Sequence, residues 1–217
     1  LPLSVSETHS HANLKKSHNE VLEEIRKISE YIAELDDPKK PEFEGNLSTA
    51  FGCTLEGSVS EDKVVKLGAQ MMQLGCDEVG LSDTTGYANP NQIKRLIRLL
   101  KKEVGEENLT SMHLHNTRGL GLANALASFE EGITTLDSSL GGIGGCPFAP
   151  GASGNIVTED LVFMLDAMGV ETGIDIEKLL AVTEKVQSFI PNESIYGFTK
   201  DSGLPKGYEK GWGIVRG

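Results

Sequence analysis

Apolar and polar positions alternate along this chain in two rhythms that take turns. Apolar runs short enough for strands stand at 3–6, 46–53, 77–83, 109–116 and 133–140. Between them the apolar residues recur at helical spacing. Val21, Ile25, Ile28 and Ile32 mark one face of a helix that Ser17 and Glu20 can start as a capping box. Ser60 opens a second helix through Leu74, which Gly75 stops. Asn89-Pro90 begins a third, with Ile93, Leu96, Ile97 and Leu100 on one side and Lys101 and Lys102 at its C-terminal end. "GLANALASFEE" (121–131), a Thr158-capped segment and a helix from Asp175 complete the series. The stretch 36–45 is a polar turn with two prolines, and 141–155 is a glycine-rich loop.

Strands separated by helices pair in parallel, because a crossover helix returns the chain to the same end of the sheet. The polar residues decide between a closed barrel and an open doubly wound sheet. Glu7, Cys53, Asp83, His113, His115 and Asp137 fall at or near the C-terminal ends of five successive strands. A barrel gathers those ends at one site, whereas an open sheet uses mainly one crevice. The pattern therefore favours a barrel. The expected organisation is a catalytic barrel domain over 1–190 and a polar, glycine-containing tail over 191–217.

Composition narrows the partners. A formal charge of −12 and a pI near 4.9 exclude nucleic acid and anionic membrane as main partners, since phosphates require a basic surface. The longest apolar runs are too short to span a bilayer. Cys53, Cys76 and Cys146 form no paired framework, which suits a reducing cytoplasm or mitochondrial matrix.

The chemistry concentrates in "MHLHNTRG" (112–119). In a strand, residues two apart share a face, so His113 and His115 point the same way. Together they can chelate one cation. The alternative is a pair of unrelated, satisfied histidines. The loop "GGIGGCPFAPGASGN" (141–155) lets backbone approach a ligand closely. It carries Cys146 between glycine and proline, and ends on Asn155, a neutral oxygen ligand. Glu159 and Asp160 occupy a helix's first turn, where the dipole alone explains an acid; this suffices for Asp160 and leaves Glu159 open. Cys53 and Cys76 read as packing residues. His9, His11 and His18 read as loop or helix-surface residues.

"HLHNTRGLGLANAL", "TLDSSLGGIGGCPFAPGASGNIVTEDLVFML" and "GCTLEGSVS" together resemble the hydroxymethylglutaryl-CoA lyase family, with "SVSETHSHANLKKS" and "EVGLSDTTGYANP" in the family's order. The resemblance runs from about residue 3 to about 185. It implies a metal-dependent (β/α)8 TIM barrel that cleaves 3-hydroxy-3-methylglutaryl-CoA to acetyl-CoA and acetoacetate. It further implies a homo-oligomer, a dimer, acting on an acyl-CoA substrate. By the same resemblance His113, His115 and Asn155 bind a divalent cation, Mg²⁺ or Mn²⁺, with an Asp from the first barrel strand. His113 then relays a proton, Asp83 and Glu159 assist, and Cys146 acts as acid or base on a closing loop.

Three departures stand out. Asn116 occupies the place of a usual Asp, and Gly80 that of a frequent serine. The family's first three strands have no counterpart, so the chain is expected to hold the C-terminal five of eight βα units. Two other readings remain. One is a Claisen-type synthase of the isopropylmalate or citramalate kind, against which "GGCPFAPG" speaks. The other is a non-catalytic acyl-CoA-binding subunit.

Overall fold

A computed structural model describes residues 1–145 and 154–211. The described residues divide into two compact units, 1–137 and 138–145 with 154–211.

The first unit is built on five strands, β1 (Pro2–Ser4), β2 (Glu44–Ser48), β3 (Glu78–Asp83), β4 (Ser111–Leu114) and β5 (Thr135–Asp137). They are parallel and hydrogen-bonded in the order β1-β2-β3-β4-β5. A doubly wound sheet would reverse its strand order at a switch point. This order does not reverse, so the sheet grows as a (β/α) barrel grows. Among the described residues β1 and β5 pair with one neighbour each and not with one another.

The connecting helices are α1 (Glu7–Leu14) and α2 (His18–Glu34) after β1, α3 (Glu61–Gln73) after β2, α4 (Pro90–Val104) after β3 and α5 (Gly121–Glu130) after β4. Register sorts the side chains into two faces. Leu3, Leu47, Leu81 and Met112 are aligned partners and at most 1 % exposed, so they form the helix-facing core. Ile93, Leu96, Ile97 and Leu100 of α4 are equally buried. Each such side chain contributes roughly 1.5–3 kcal/mol on leaving water. The Ser17–Glu20 capping box of α2 forms as read, and α4 starts at Asn89-Pro90 as read, with an Asn89–Gln92 capping box that the sequence reading did not name.

Helix α1 was not legible in its polar sequence. It exists because Ser6 caps it, accepting from the His9 backbone N–H at 3.1 Å. Consequently Glu7 is an exposed first-turn residue rather than a strand end.

The second unit holds α6 (Thr158–Ala167), α7 (Ile176–Phe189) and α8 (Phe198–Ser202). Thr158 is the first residue of α6 rather than its cap; its hydroxyl donates to Ser138 Oγ at 2.9 Å. The expected tail is partly structural. Tyr196 N–H donates to Gly141 O at 3.1 Å, and Ile195 is buried. Gly141 has φ +57°, and a Cβ there would stand 2.5 Å from Ile195 Cβ. Only glycine lets the two segments approach.

Candidate active site

The polar face of the sheet in the first unit is layered. Ser4 aligns with Ser48, and Ser82 with His113, which aligns in turn with Asp137. Hydroxyls, an imidazole and a carboxylate therefore share one level at the C-terminal ends of adjacent strands. A cavity of about 290 Å³ opens there, lined by Ser48, Ser82, Thr84, His113 and Asp137 together with His9 and Asn46.

His113 and His115 meet as the strand period requires. Their Nε2 atoms are 3.2 Å apart, and the rings are edge-on with centroids 5.1 Å apart. Asp137 Oδ2 lies 3.2 Å from His113 Nδ1. A carboxylate at that nitrogen favours the tautomer with the proton on Nδ1, so the lone pair of Nε2 faces His115. Burial, reinforced by the neighbouring His113, pushes the His115 imidazole down to about 4. It is therefore uncharged at neutral pH, the form that ligates a metal. Its Nδ1 is buried without a hydrogen-bond partner.

Asp83 was expected beside these residues. The register pairs it with Leu114, between the two histidines and therefore on the opposite face. Its Oδ1 accepts from Tyr87 N–H at 2.9 Å and its Oδ2 from Ala88 N–H at 3.1 Å. Burial dominates these bonds and pushes the carboxyl up to about 6. Asp83 organises the turn into α4 instead of facing the cavity. Arg118 secures the same turn: it donates to Thr85 O at 2.9 Å, and its guanidinium lies 4.5 Å from the centre of the Tyr87 ring.

Asn116 stands in place of the usual Asp. Its Oδ1 accepts from Gly121 N–H at 3.0 Å and starts α5. Cys53 and Cys76 are buried and free, as packing residues should be. His9 corrects the expectation of a surface residue: it is 1 % exposed, and its Nδ1 pairs with Ser4 Oγ at 2.8 Å.

In the second unit Asn155 is held at one end. Its Nδ2 donates to Ile143 O at 2.9 Å, while its Oδ1 is buried with no hydrogen-bond partner. Glu159 is fully buried, and its oxygens accept from Gly141 N–H at 3.2 and 3.1 Å and from the Thr183 hydroxyl. That carboxylate anchors the start of the glycine-rich loop. Asp160 caps α8, accepting from Phe198 and Thr199 N–H at 3.1 and 2.7 Å. Cys146 lies outside the described residues.

The histidine pair of the first unit fits a divalent cation. Two nitrogens in neighbouring positions of an octahedron stand about 3.1 Å apart when each bond is about 2.2 Å, close to the 3.2 Å observed. Asn155 offers an orphaned, buried oxygen of the hard type such ions take. Among the described residues no three His, Cys, Asp or Glu side chains are gathered for a metal.

The model of the HMGL-like family matches residues 1–186. The chain belongs to that family. Hydroxymethylglutaryl-CoA lyase of Bacillus subtilis is 37% identical over 202 residues, covering 90% of this chain and 65% of the relative. (R)-citramalyl-CoA lyase of Chloroflexus aurantiacus is 40% identical over 184 residues, 85% of this chain and 56% of the relative. A solved HMG-CoA lyase from Acenitobacter baumannii, in complex with coenzyme A and 3-methylmalate, superposes with a TM-score of 0.87. It is 39% identical and the match covers 96% of this chain and 66% of that one. The chain thus spans between half and two-thirds of the length of these HMGL-like relatives.

Sequence reasoning placed the two histidines of this HMGL-like site and missed Asp137 as the partner of His113. It also missed the serine row of Ser4, Ser48 and Ser82. The available signal was parity: Ser82 aligns with His113, and the more conspicuous Asp83 is one residue off.

Proposed function

We propose that the full-length protein is a carbon–carbon lyase that cleaves a 3-hydroxy-3-methylglutaryl-CoA-type thioester to acetyl-CoA and a keto acid, acetoacetate in the case of 3-hydroxy-3-methylglutaryl-CoA itself. The observation that carries this reading is the His113–His115 pair, with facing nitrogens 3.2 Å apart on the polar face of the sheet. Membership of the HMGL-like family supports it.

The reaction needs the tertiary hydroxyl to lose its proton while the bond between the second and third acyl carbons breaks. The bond's electron pair passes to the thioester as an enolate, and the third carbon becomes a ketone. A divalent cation, Mg²⁺ or Mn²⁺, held by His113, His115 and Asn155 would lower the pKa of that hydroxyl and fix its position. His115 serves this purpose because it stays uncharged. His113 has one nitrogen facing the cavity, so ligation and proton relay are alternative uses of it. Asp137, on its other nitrogen, orients the ring for either. Cys146 gives the proton that turns the enolate carbon into the methyl group of acetyl-CoA, and regains it from water. No helix among the described residues is long and apolar enough to cross a membrane. A cytoplasmic or mitochondrial-matrix enzyme is in keeping with relatives of both kinds.

The relative named (R)-citramalyl-CoA lyase favours testing a second acyl group with the same bond cleavage. Full-length protein loaded with Mg²⁺ or Mn²⁺ is incubated with 3-hydroxy-3-methylglutaryl-CoA or citramalyl-CoA, and products are identified by mass spectrometry. Metal-dependent acetyl-CoA is the expected result. Binding without any acetyl-CoA would instead mark a non-catalytic acyl-CoA-binding subunit.

A further inference from the structure

The loops at the C-terminal end of the first unit's sheet are poor in cations. Residues 5–6, 49–60, 84–89 and 115–120, which follow β1 to β4, contain a single Lys or Arg, Arg118. Its side chain is exposed, and its partners set it apart. Arg26 pairs with Glu23 and Glu30, Arg95 with Glu61, and Arg98 with Glu131. Arg118 alone among the described arginines has no carboxylate within ion-pair distance; it is held by carbonyls and a ring instead.

Nη1 donates to Thr85 O at 2.9 Å and to Gly86 O at 3.2 Å. The guanidinium lies 4.5 Å from the centre of the Tyr87 ring. That ring is itself seated, because Gly52 has φ +143° and a Cβ there would stand 2.5 Å from Tyr87 Cδ2. Only glycine admits the ring at this distance. The Thr85 hydroxyl donates to Gly52 O at 2.9 Å and ties the loops after β2 and β3 together. Three loops thus fix one guanidinium. Its Nε and Nη2, the edge that grips an oxyanion with two parallel hydrogen bonds, have no hydrogen-bond partner among the described residues.

A braced guanidinium with an open edge selects a phosphate. The chain carries a net charge of −12, so a polyanionic ligand depends on a local cation. Arg118 follows His113 by five residues, which separates them by at most about 18 Å. Both stand at the end of the sheet where the cavity opens. An extended pantetheine arm, with about as many bonds in line as four residues, spans about 14 Å. A thioester seated at His113 therefore brings a phosphate of its coenzyme within reach of Arg118.

We propose that Arg118, braced by Tyr87 and by the Thr85 and Gly86 carbonyls, is a phosphate subsite for the coenzyme A part of the thioester. It rests on the lyase reading and deepens it by naming the residue that holds the acyl carrier. The pyrophosphate and the 3′-phosphate of coenzyme A share this chemistry, and the test separates them.

Full-length protein in EDTA is titrated by calorimetry with the 3-hydroxy-3-methylglutaryl thioesters of coenzyme A, dephospho-coenzyme A and pantetheine. Cleavage is followed separately with Mn²⁺. Arg118→Ala should weaken binding of the coenzyme A thioester about tenfold or more, and of the pantetheine thioester less than about twofold. Added salt should weaken the coenzyme A thioester more in the wild type than in Arg118→Ala. Arg118→Lys, which keeps the charge and loses the fork, should recover part of the affinity. A tenfold loss that extends to the dephospho-coenzyme A thioester assigns the pyrophosphate; indifference of that thioester assigns the 3′-phosphate. Equal weakening of the coenzyme A and pantetheine thioesters leaves Arg118 as a strap of the turn and overturns the subsite, as does unchanged affinity for both. If the selective loss appears but no thioester is cleaved, the subsite stands and the lyase reading falls. If the thioesters are cleaved and Arg118→Ala treats all three alike, the reverse is true.

Discussion

Asp83 makes the stability of this protein depend on pH in an unusual direction. Its carboxyl is 1 % exposed, and burial raises it to about 6 from the ordinary 3.8 despite two amide donors and the nearby Arg118. A carboxyl whose folded value lies above its unfolded value is protonated more readily in the native state. Stability from this group therefore rises as pH falls through 6 and levels off below about 4. A shift of about two units corresponds to about 3 kcal/mol over the whole window. Between pH 7 and pH 5 the share is about 1.3 kcal/mol, because the native carboxyl is then mostly protonated while the unfolded one is not. Asp83→Asn removes the titration and one amide acceptor. Urea unfolding of both proteins at pH 7, 6 and 5 isolates the effect as a difference. The wild type should gain about 1.3 kcal/mol on Asp83→Asn as pH drops from 7 to 5. A difference that stays flat, or that moves against the wild type, refutes the claim that desolvation outweighs the two amide bonds.

Three further outcomes are expected. His115→Ala in the full-length protein should weaken Mn²⁺ binding at least about tenfold by calorimetry, since a single imidazole cannot chelate; unchanged affinity would remove the histidine pair from the metal site. Glu159→Gln should lower the urea midpoint by an amount equivalent to about 1–3 kcal/mol, because a buried acceptor of Gly141 N–H and the Thr183 hydroxyl is altered. Lost turnover at wild-type stability would show that Glu159 does chemistry instead. Cys146→Ala should reduce kcat by about two orders of magnitude with little change in Tm, the usual range for a missing acid or base; a fall in Tm with normal kcat would make it a packing residue.

What the sequence determined by itself was whatever depends on local period and short-range hydrogen bonding. The alternation of strand and helix, the capping boxes at Ser17 and Asn89, and the shared face of His113 and His115 all follow from spacing within a few residues. The motifs around the histidines and the glycine-rich loop were enough to indicate the family. Register is different, because it is set between strands that are distant in the chain. A one-residue step moves a side chain to the other face, and only the pairing of Ser82 with His113 reveals that Asp83 faces the helices. The same holds for partners far apart in sequence, such as Asp137 on His113 and Thr183 on Glu159. A carboxylate in a helix's first turn looks alike in sequence whether it serves the dipole, a buried anchor or a reaction. Tertiary packing decided that Asp160 caps α8 and that Glu159 is enclosed, because each outcome depends on which distant backbone arrives beside it.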